Sequence, residues 1–354
     1  MNGESIMLLG ASVRAAARSC RQAGFACHGA DLFADVDTIV LGKFERAMEY
    51  PRGLLKFAEQ APPSRWMYTG GLENYPELVE SVSQRHELLG IGGESLRRVR
   101  DPLQLYDVLS TAKLSVPEVA MNPNDVAEKQ HWLRKPLRGS GGMHVALADH
   151  PGSSRGCYYQ RFVEGQPAAA AFLAHAGGAI LLGITHQFVG QPWTGARPFQ
   201  YAGSIGPVSL SAKFEALIEK IGIAVTDAFA LTGLFGIDGV IADDQFWPVE
   251  VNPRYTSSIE ILERAGLPSA VDLHVRACTQ QPLSTSPRQS LQDIVHGKAV
   301  VFANSEVGIG TSFEQFTQQH NAASTTLQFA DIPQRGESIE AGHPIATVFA
   351  QGRD

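Results

Sequence analysis

The chain has only four cysteines, and Cys20, Cys27, Cys157 and Cys278 include no C-x-x-C pair. That argues against a cysteine-built metal centre or a disulfide framework, and reduced thiols in a cytoplasm are the expected state. Cys20 and Cys27 are close enough in sequence to pair, but their expected places on a helix and a strand argue against it. Long apolar runs are also missing. The longest near the N-terminus, Ile6–Ala11, is too short for a signal peptide or a membrane span. Positive charge is not in excess. The formal charge of −7, with a pI near 5.9, argues against general affinity for nucleic acid or an anionic membrane. No repeat of fixed period is visible.

What is present suits a soluble globular protein of α/β class. Hydrophobic residues make up 44% and charged residues 18% of 354, a length that suits two or three domains. Ser5–Leu9 reads as a strand, Gly10-Ala11-Ser12 as a turn, Val13–Ala23 as an alanine-rich helix, and Phe25–Ala30 as a strand ending at Asp31. This βαβ-like opening invites dinucleotide binding, and Asp31 sits about where a ribose-binding acid would. The G-x-G-x-x-G fingerprint is nevertheless missing, since only Gly10 is in place. Alternatively, Ser12 caps the helix and its free N–H groups, with Arg14, receive a substrate carboxylate. Equally, Ser12 only caps and Arg14 is solvated.

The loop Tyr68-Thr69-Gly70-Gly71-Leu72-Glu73-Asn74 precedes a helix from about Pro76. It lies at a strand's carboxyl end, where ligands bind in α/β layers, so Glu73 and Asn74 are candidate substrate contacts or caps of the next helix. Arg97-Arg98-Val99-Arg100 marks a change of domain, and Asp101-Pro102 opens a helix. The polar tract Thr279–Gln292 reads as a linker to a β-rich remainder from Ile294. The expected units are 1–95, 96–280 and 281–354.

The densest chemistry lies in Gly236–Tyr255, which reads as one β-hairpin with Asp243-Asp244-Gln245 at its turn. Residues two apart share a strand face, so Glu250 and Asn252 point the same way. A three-residue loop at 243–245 sets Asp238 across from Glu250, side chains roughly 5 Å apart, whereas a one-residue slip turns Asp238 to the other face. Two carboxylates and an amide oxygen suit a hard divalent cation, and Mg²⁺ usually arrives with substrate phosphates. A solvated hairpin is the plainer alternative.

Two further segments fit phosphate handling. Leu133–His144 places Lys135 at a strand end before Gly139-Ser140-Gly141-Gly142, a loop whose N–H groups can close on phosphate oxygens while the ammonium supplies charge. It is not a Walker A motif, and alone it is equally an ordinary glycine-rich hairpin. Tyr158–Gly165 is a strand running into a turn. Its backbone at Gln160-Arg161-Phe162-Val163 can meet an adenine edge, or it is a plain edge strand.

The order of these pieces is lysine-proline with glycine loop, then Q-x-F-V-x-G, then D…E-x-N-P-R, and over roughly residues 96–280 it resembles the ATP-grasp superfamily. The resemblance implies an α/β architecture with a Rossmann-like N-terminal domain, a two-subdomain ATP-grasp core and a small β-rich C-terminal unit. It also implies ATP and Mg²⁺ as cofactors, with Mn²⁺ an admissible substitute. Lys135 becomes the phosphate-binding lysine, Gly139–Gly142 the loop over the triphosphate, and Gln160–Val163 the adenine hinge. Asp238, Glu250 and Asn252 would hold Mg²⁺, and Arg254 would face the γ-phosphate. Two departures stand out. Many members carry Asp-Lys where this chain has Asp101-Pro102, so Arg100 is the best substitute for the first lysine. A ribose-binding glutamate is missing near Pro167.

A narrower resemblance runs almost end to end, on GASVRAAARSCRQAGF, TGGLEN, QYAGSIGP and ADIPQRGESIEAGHPIATVFAQG. These look like biotin-carboxylase-like ATP-grasp ligases near methanofuran- and methanopterin-type one-carbon coenzyme genes, similar to tyramine–glutamate ligases. The resemblance implies joining a small-molecule carboxylate to an amine through an acyl phosphate, and by analogy admits a homodimer. Thr185-His186-Gln187 and Pro198–Pro207 are expected on the acceptor side, His186 more as a structural histidine than a base. Biotin-dependent carboxylation is an alternative suggested by the C-terminal glycine pattern. No lysine follows Lys298, so a separate carrier would be needed. A non-catalytic ATP-sensing regulator is the other.

Overall fold

The computed structural model describes residues 4–283, 287–290, 294–324 and 326–353. The first unit is a five-stranded parallel sheet in the order Lys43–Arg46, Ala26–Asp31, Ser5–Leu9, Arg65–Tyr68, Glu87–Leu88. Its central strand is apolar without alternation because both faces are covered: Met7, Leu8 and Leu9 are fully buried. Helix Arg14–Gln22 packs Ala16, Ala17 and Cys20 into this layer. All four cysteines are free.

Helices Gly93–Val99 and Pro102–Thr111 lead into the next unit. Asp101 caps the second one by accepting from Leu103 and Gln104 N–H, which is the stop-and-start that Asp-Pro favours. A small four-stranded sheet follows, with Cys157–Arg161 between Val119–Ala120 and Trp132–Pro136. It presents Lys135 and Gln160 from neighbouring strands.

An eight-stranded sheet then runs through the rest of the molecule. At its centre Gln166–His175 pairs with Gly178–Val189 and with Gly233–Ala242. Helix Ala212–Phe229 covers one face with Ile218, Ile221, Gly222, Val225 and Phe229, the spacing of a single helical stripe. Gly222 admits the Phe172 ring, which stacks on Phe235 at 5.0 Å. The C-terminal strands join the same sheet. Ala299 of Ile294–Phe302 pairs with Gly203 on one side and Val348 of Pro344–Arg353 on the other. The polar tract Thr279–Gln292 lies partly outside the described residues, at 284–286 and 291–292. No described helix is long and apolar enough to cross a membrane.

Candidate active site

Hairpin Gly233–Ala242 and Gln245–Asn252 pairs Asp238 directly with Glu250, by a route the sequence did not suggest. The turn has two residues, not three: Asp243 and Asp244 both adopt positive φ, and Ala242 pairs with Gln245. That alone would place Asp238 opposite Val249. A bulge at Val249 inserts one residue and restores the Asp238–Glu250 register. The bulged Val249 carbonyl accepts from Lys135 Nζ at 3.4 Å and from Gln160 Nε2 at 3.3 Å, tying the hairpin to the small sheet.

Around this pair the polar groups interlock. Asp238 accepts from Gln187 Nε2 at 2.9 Å and Asn252 Nδ2 at 2.8 Å. Glu250 accepts from Arg100, which also donates to the Val251 carbonyl and to Asn74 Oδ1. Arg254 donates to Glu73 at 2.7 Å and to Asn252 Oδ1 at 3.2 Å. Lys135 Nζ donates to Gln160 Oε1 at 2.9 Å and lies over the Tyr158 ring. Burial, then the neighbouring Glu250 charge, push the Asp238 carboxyl up to about 6. Glu250 goes the other way: burial opposes its charge, but Arg100 and Lys135 outweigh it and hold it below the usual carboxylate range.

The donor set fits a divalent cation that keeps open positions. A carboxylate has about four lone-pair sites, so Asp238 with two amide donors and Glu250 with one guanidinium retain acceptor capacity. Among the described residues no group of three His, Cys, Asp or Glu side chains could hold a metal. An ion here would depend on phosphate oxygens and water to complete its shell, the pattern typical of Mg²⁺.

The glycine-rich loop is tethered at both ends. Asn74 Nδ2 donates to the Gly139 carbonyl at 3.0 Å, and Tyr201 N–H donates to the Gly141 carbonyl at 2.9 Å. Gly142, at φ +73°, lies so close to Phe199 that a Cβ would stand 1.8 Å from its carbonyl oxygen, whereas Gly141 faces open space. In the expected hinge, Phe162 N–H donates to the His131 carbonyl, while no protein acceptor meets Val163 N–H among the described residues.

Lys135, Arg100, Gly139–Gly142, Gln160–Val163, Asp238, Glu250, Asn252 and Arg254 all line one cavity of about 1660 Å³. Ser12, Arg14 and Asn74 line it as well. Glu73 does not: it is 1% exposed and stands behind Arg254. Nor do Glu73 and Asn74 cap the next helix, which has no side-chain cap.

The N-terminal expectations need three corrections. Ser12 does not cap the first helix; Val13 is the N-cap, and its N–H is taken by Asp31. Asp31, fully buried, also accepts from Phe33 and Ala34 N–H, so it holds a turn and is not free for a ribose. Arg14 is not solvated but 3% exposed, bonded to both oxygens of Glu260 and to Asp331.

In the segment expected on the acceptor side, Gln187 reaches Asp238, whereas its neighbour His186 does not line the cavity and burial pushes its pKa down. Glu260, Lys298 and Asp331 line the cavity and are the residues that sequence reading missed as site members. Strand alternation places Gln187 and Asp238 on one sheet face, but only the pairing of three strands brings them together.

Residues 99–258 match the family described as ATP-grasp domain. An uncharacterized protein of Methanocaldococcus jannaschii is 23% identical over 278 residues, covering 75% of this chain and 64% of its own. A formate-dependent phosphoribosylglycinamide formyltransferase of Pseudomonas aeruginosa is 31% identical over 170 residues, covering 43% of this chain and 40% of that relative. The chain therefore spans less than two thirds of the length of these curated relatives. Among solved structures, N5-carboxyaminoimidazole ribonucleotide synthetase from Thermus thermophilus superimposes with a TM-score of 0.70 at 15% identity, covering 99% of this chain and 94% of that one. The biotin carboxylase domain dimer of Hydrogenobacter thermophilus 2-oxoglutarate carboxylase, solved with MgADP and bicarbonate, gives 0.71 at 10% identity, covering 99% and 86%. At such identities the likeness is one of fold. Residues 99–258 are an ATP-grasp domain, set in a chain whose whole fold is shared with these enzymes.

Proposed function

We propose that this protein is an ATP-dependent, ADP-forming ligase that joins a small-molecule carboxylate to an amine through an acyl phosphate. The observation that carries the reading is a single cavity in which the Asp238–Glu250 pair faces the Lys135 ammonium and the tethered glycine loop. Anion-binding N–H groups, a buried ammonium and two guanidinium groups gather at one end, which suits a triphosphate.

Asp238, Glu250 and Asn252 would hold Mg²⁺, or Mn²⁺ in its place, and the cation when bound would offset phosphate charge. Lys135, kept in line by Gln160 and Tyr158, stabilises the charge growing on the transferred phosphoryl group. Arg254, braced by Glu73, and Arg100, braced by Asn74, orient phosphoryl oxygens and the substrate carboxylate. In the first step a carboxylate oxygen attacks the γ-phosphorus and the bond to ADP breaks. In the second a neutral amine attacks the acyl carbon, phosphate leaves, and the amine's proton passes to phosphate or water.

The formyltransferase relative, whose name describes formate-dependent work on phosphoribosylglycinamide, supports this class of chemistry. The end-to-end motif resemblance favours a place in one-carbon coenzyme (methanofuran- or methanopterin-type) synthesis, in the cytoplasm, with a homodimer as the expected assembly. ADP release measured across panels of carboxylates and amines tests the reading. Release that needs both substrates is expected. Dependence on bicarbonate with a biotinylated carrier would favour carboxylation, and nucleotide binding without turnover on any pair would favour an ATP sensor.

A further inference from the structure

The cavity does not end at the arginines. It continues past Ala11 and Ser12 to a second end, between the loop that carries Leu32, Phe33 and Asp35 and the C-terminal segment from Asp331 to Thr347. Here the charge reverses. Asp35, Asp331, Glu337 and Glu340 line this end; the cations that line it beside them are already paired, and the exposed Arg197 lies against Gly342 outside the lining. Arg14 is bonded to Glu260 and Asp331, Lys298 to Glu260, and Arg46 to Glu337.

Asp35 is the anomaly. It is 5% exposed, yet its carboxyl group has no hydrogen-bond or ion-pair partner among the described residues. It does not cap the short helix Val36–Ile39 that follows it; Val36 N–H donates instead to the Ile332 carbonyl. Burial, then the charges of Asp331, Asp37, Asp31 and Glu337, push it up to about 8. Its carboxyl group opens onto the cavity, where an ammonium from outside would displace the acid's proton and form an ion pair. Glu340, exposed at the rim, likewise has no cation partner among the described residues.

We propose that this end of the cavity, bordered by Asp35, Asp331, Glu337 and Glu340, binds a positively charged group of the amine substrate, remote from the nitrogen that reacts. The inference rests on the ligase reading. An amine must be neutral to attack an acyl phosphate, whereas an ammonium among carboxylates is held protonated. The group bound here is therefore not the nucleophile. Leu32, Phe33, Val300, Phe302 and Ile345 add apolar lining to the cavity, which suits a methylene spacer. The substrate class is an alkylamine with a second ammonium or guanidinium group.

Calorimetry on the full chain with 1,5-diaminopentane and n-pentylamine tests this. The diamine is expected to bind at least tenfold more tightly. That preference should vanish in Asp35→Asn and fall severalfold in Glu340→Gln, whose exposed position leaves folding untouched. Equal binding of the two amines, binding of neither, or a preference that survives in both variants overturns the proposal. Titrating a non-hydrolysable MgATP analogue into the same samples separates the two readings. Retained nucleotide binding without amine preference strikes only this inference, while loss of nucleotide binding in the wild type strikes the ligase itself.

Discussion

Replacing Glu250 with alanine should separate activity from stability. The side chain stands opposite Asp238 in the proposed cation site, and in the structure it pairs with Arg100. Removing one partner of a buried ion pair typically costs about 3–5 kcal/mol. Two features reduce that here. The Glu250 side chain is 30% exposed, and Arg100 keeps the Val251 carbonyl and Asn74 Oδ1 as acceptors. Loss of the Glu250 charge also relieves Asp238, for which that charge is the second cause of its raised pKa. The net cost to folding should be about 1 kcal/mol, a fall in Tm of roughly 1–2 °C. Turnover should drop about a hundredfold, equivalent to about 3 kcal/mol of lost transition-state stabilisation. Parallel thermal melts and ADP-release assays provide both readings. Near-wild-type turnover, or a variant that fails to fold, refutes the reasoning.

The two glycines of the loop should behave differently. Gly142→Ala places a Cβ against the Phe199 carbonyl and adds left-handed strain, so nucleotide affinity should fall tenfold or more, while Gly141→Ala, facing open space, carries only about 1 kcal/mol of strain. Equal titration curves for the two variants would contradict the tethered-loop geometry. Because Asp238 sits at about 6, protons compete with the cation below that pH. MgATP affinity should be flat above about pH 7 and fall about tenfold per unit below about 6, a slope that Asp238→Asn removes. His274, 2% exposed, accepts from Leu234 N–H and hydrogen-bonds the Leu89 carbonyl, and burial pushes it down to about 4. Its folded value lies below the ordinary 6.5, so the folded state binds fewer protons. The associated stability, about 3 kcal/mol, is present above pH 6.5 and lost as pH falls toward 4. Denaturant titrations across that window should show the loss, and His274→Gln should flatten it.

The parts of the site legible in the sequence are those in which local pattern and chemistry coincide. Period-two alternation put Glu250 and Asn252 on one face, and Lys135 before a glycine loop reads directly as anion chemistry. The expected Asp238–Glu250 register holds although the turn has two residues and not three, because the shorter turn and the bulge at Val249 cancel. A bulge leaves no clear mark in one sequence. Arg14 illustrates what stayed hidden. Its partners Glu260 and Asp331 lie 246 and 317 residues away, and no local period reports contacts of that span. Glu73 is a similar case: loop position suggested substrate, but tertiary packing made it the brace of Arg254. The C-terminal strands read as a small β-rich unit, and only their hydrogen bonds to Tyr201–Gly206 reveal that they extend the central sheet.

The central claim is that a divalent cation and a triphosphate sit between the Asp238–Glu250 pair and Lys135. Anomalous diffraction from crystals soaked with Mn²⁺ and a non-hydrolysable ATP analogue tests it most directly. The account predicts an anomalous peak within coordination distance of Asp238 and Glu250, with γ-phosphate density facing Lys135 and Arg254. A peak elsewhere in the molecule, or nucleotide density on the far side of the sheet from these residues, would contradict it.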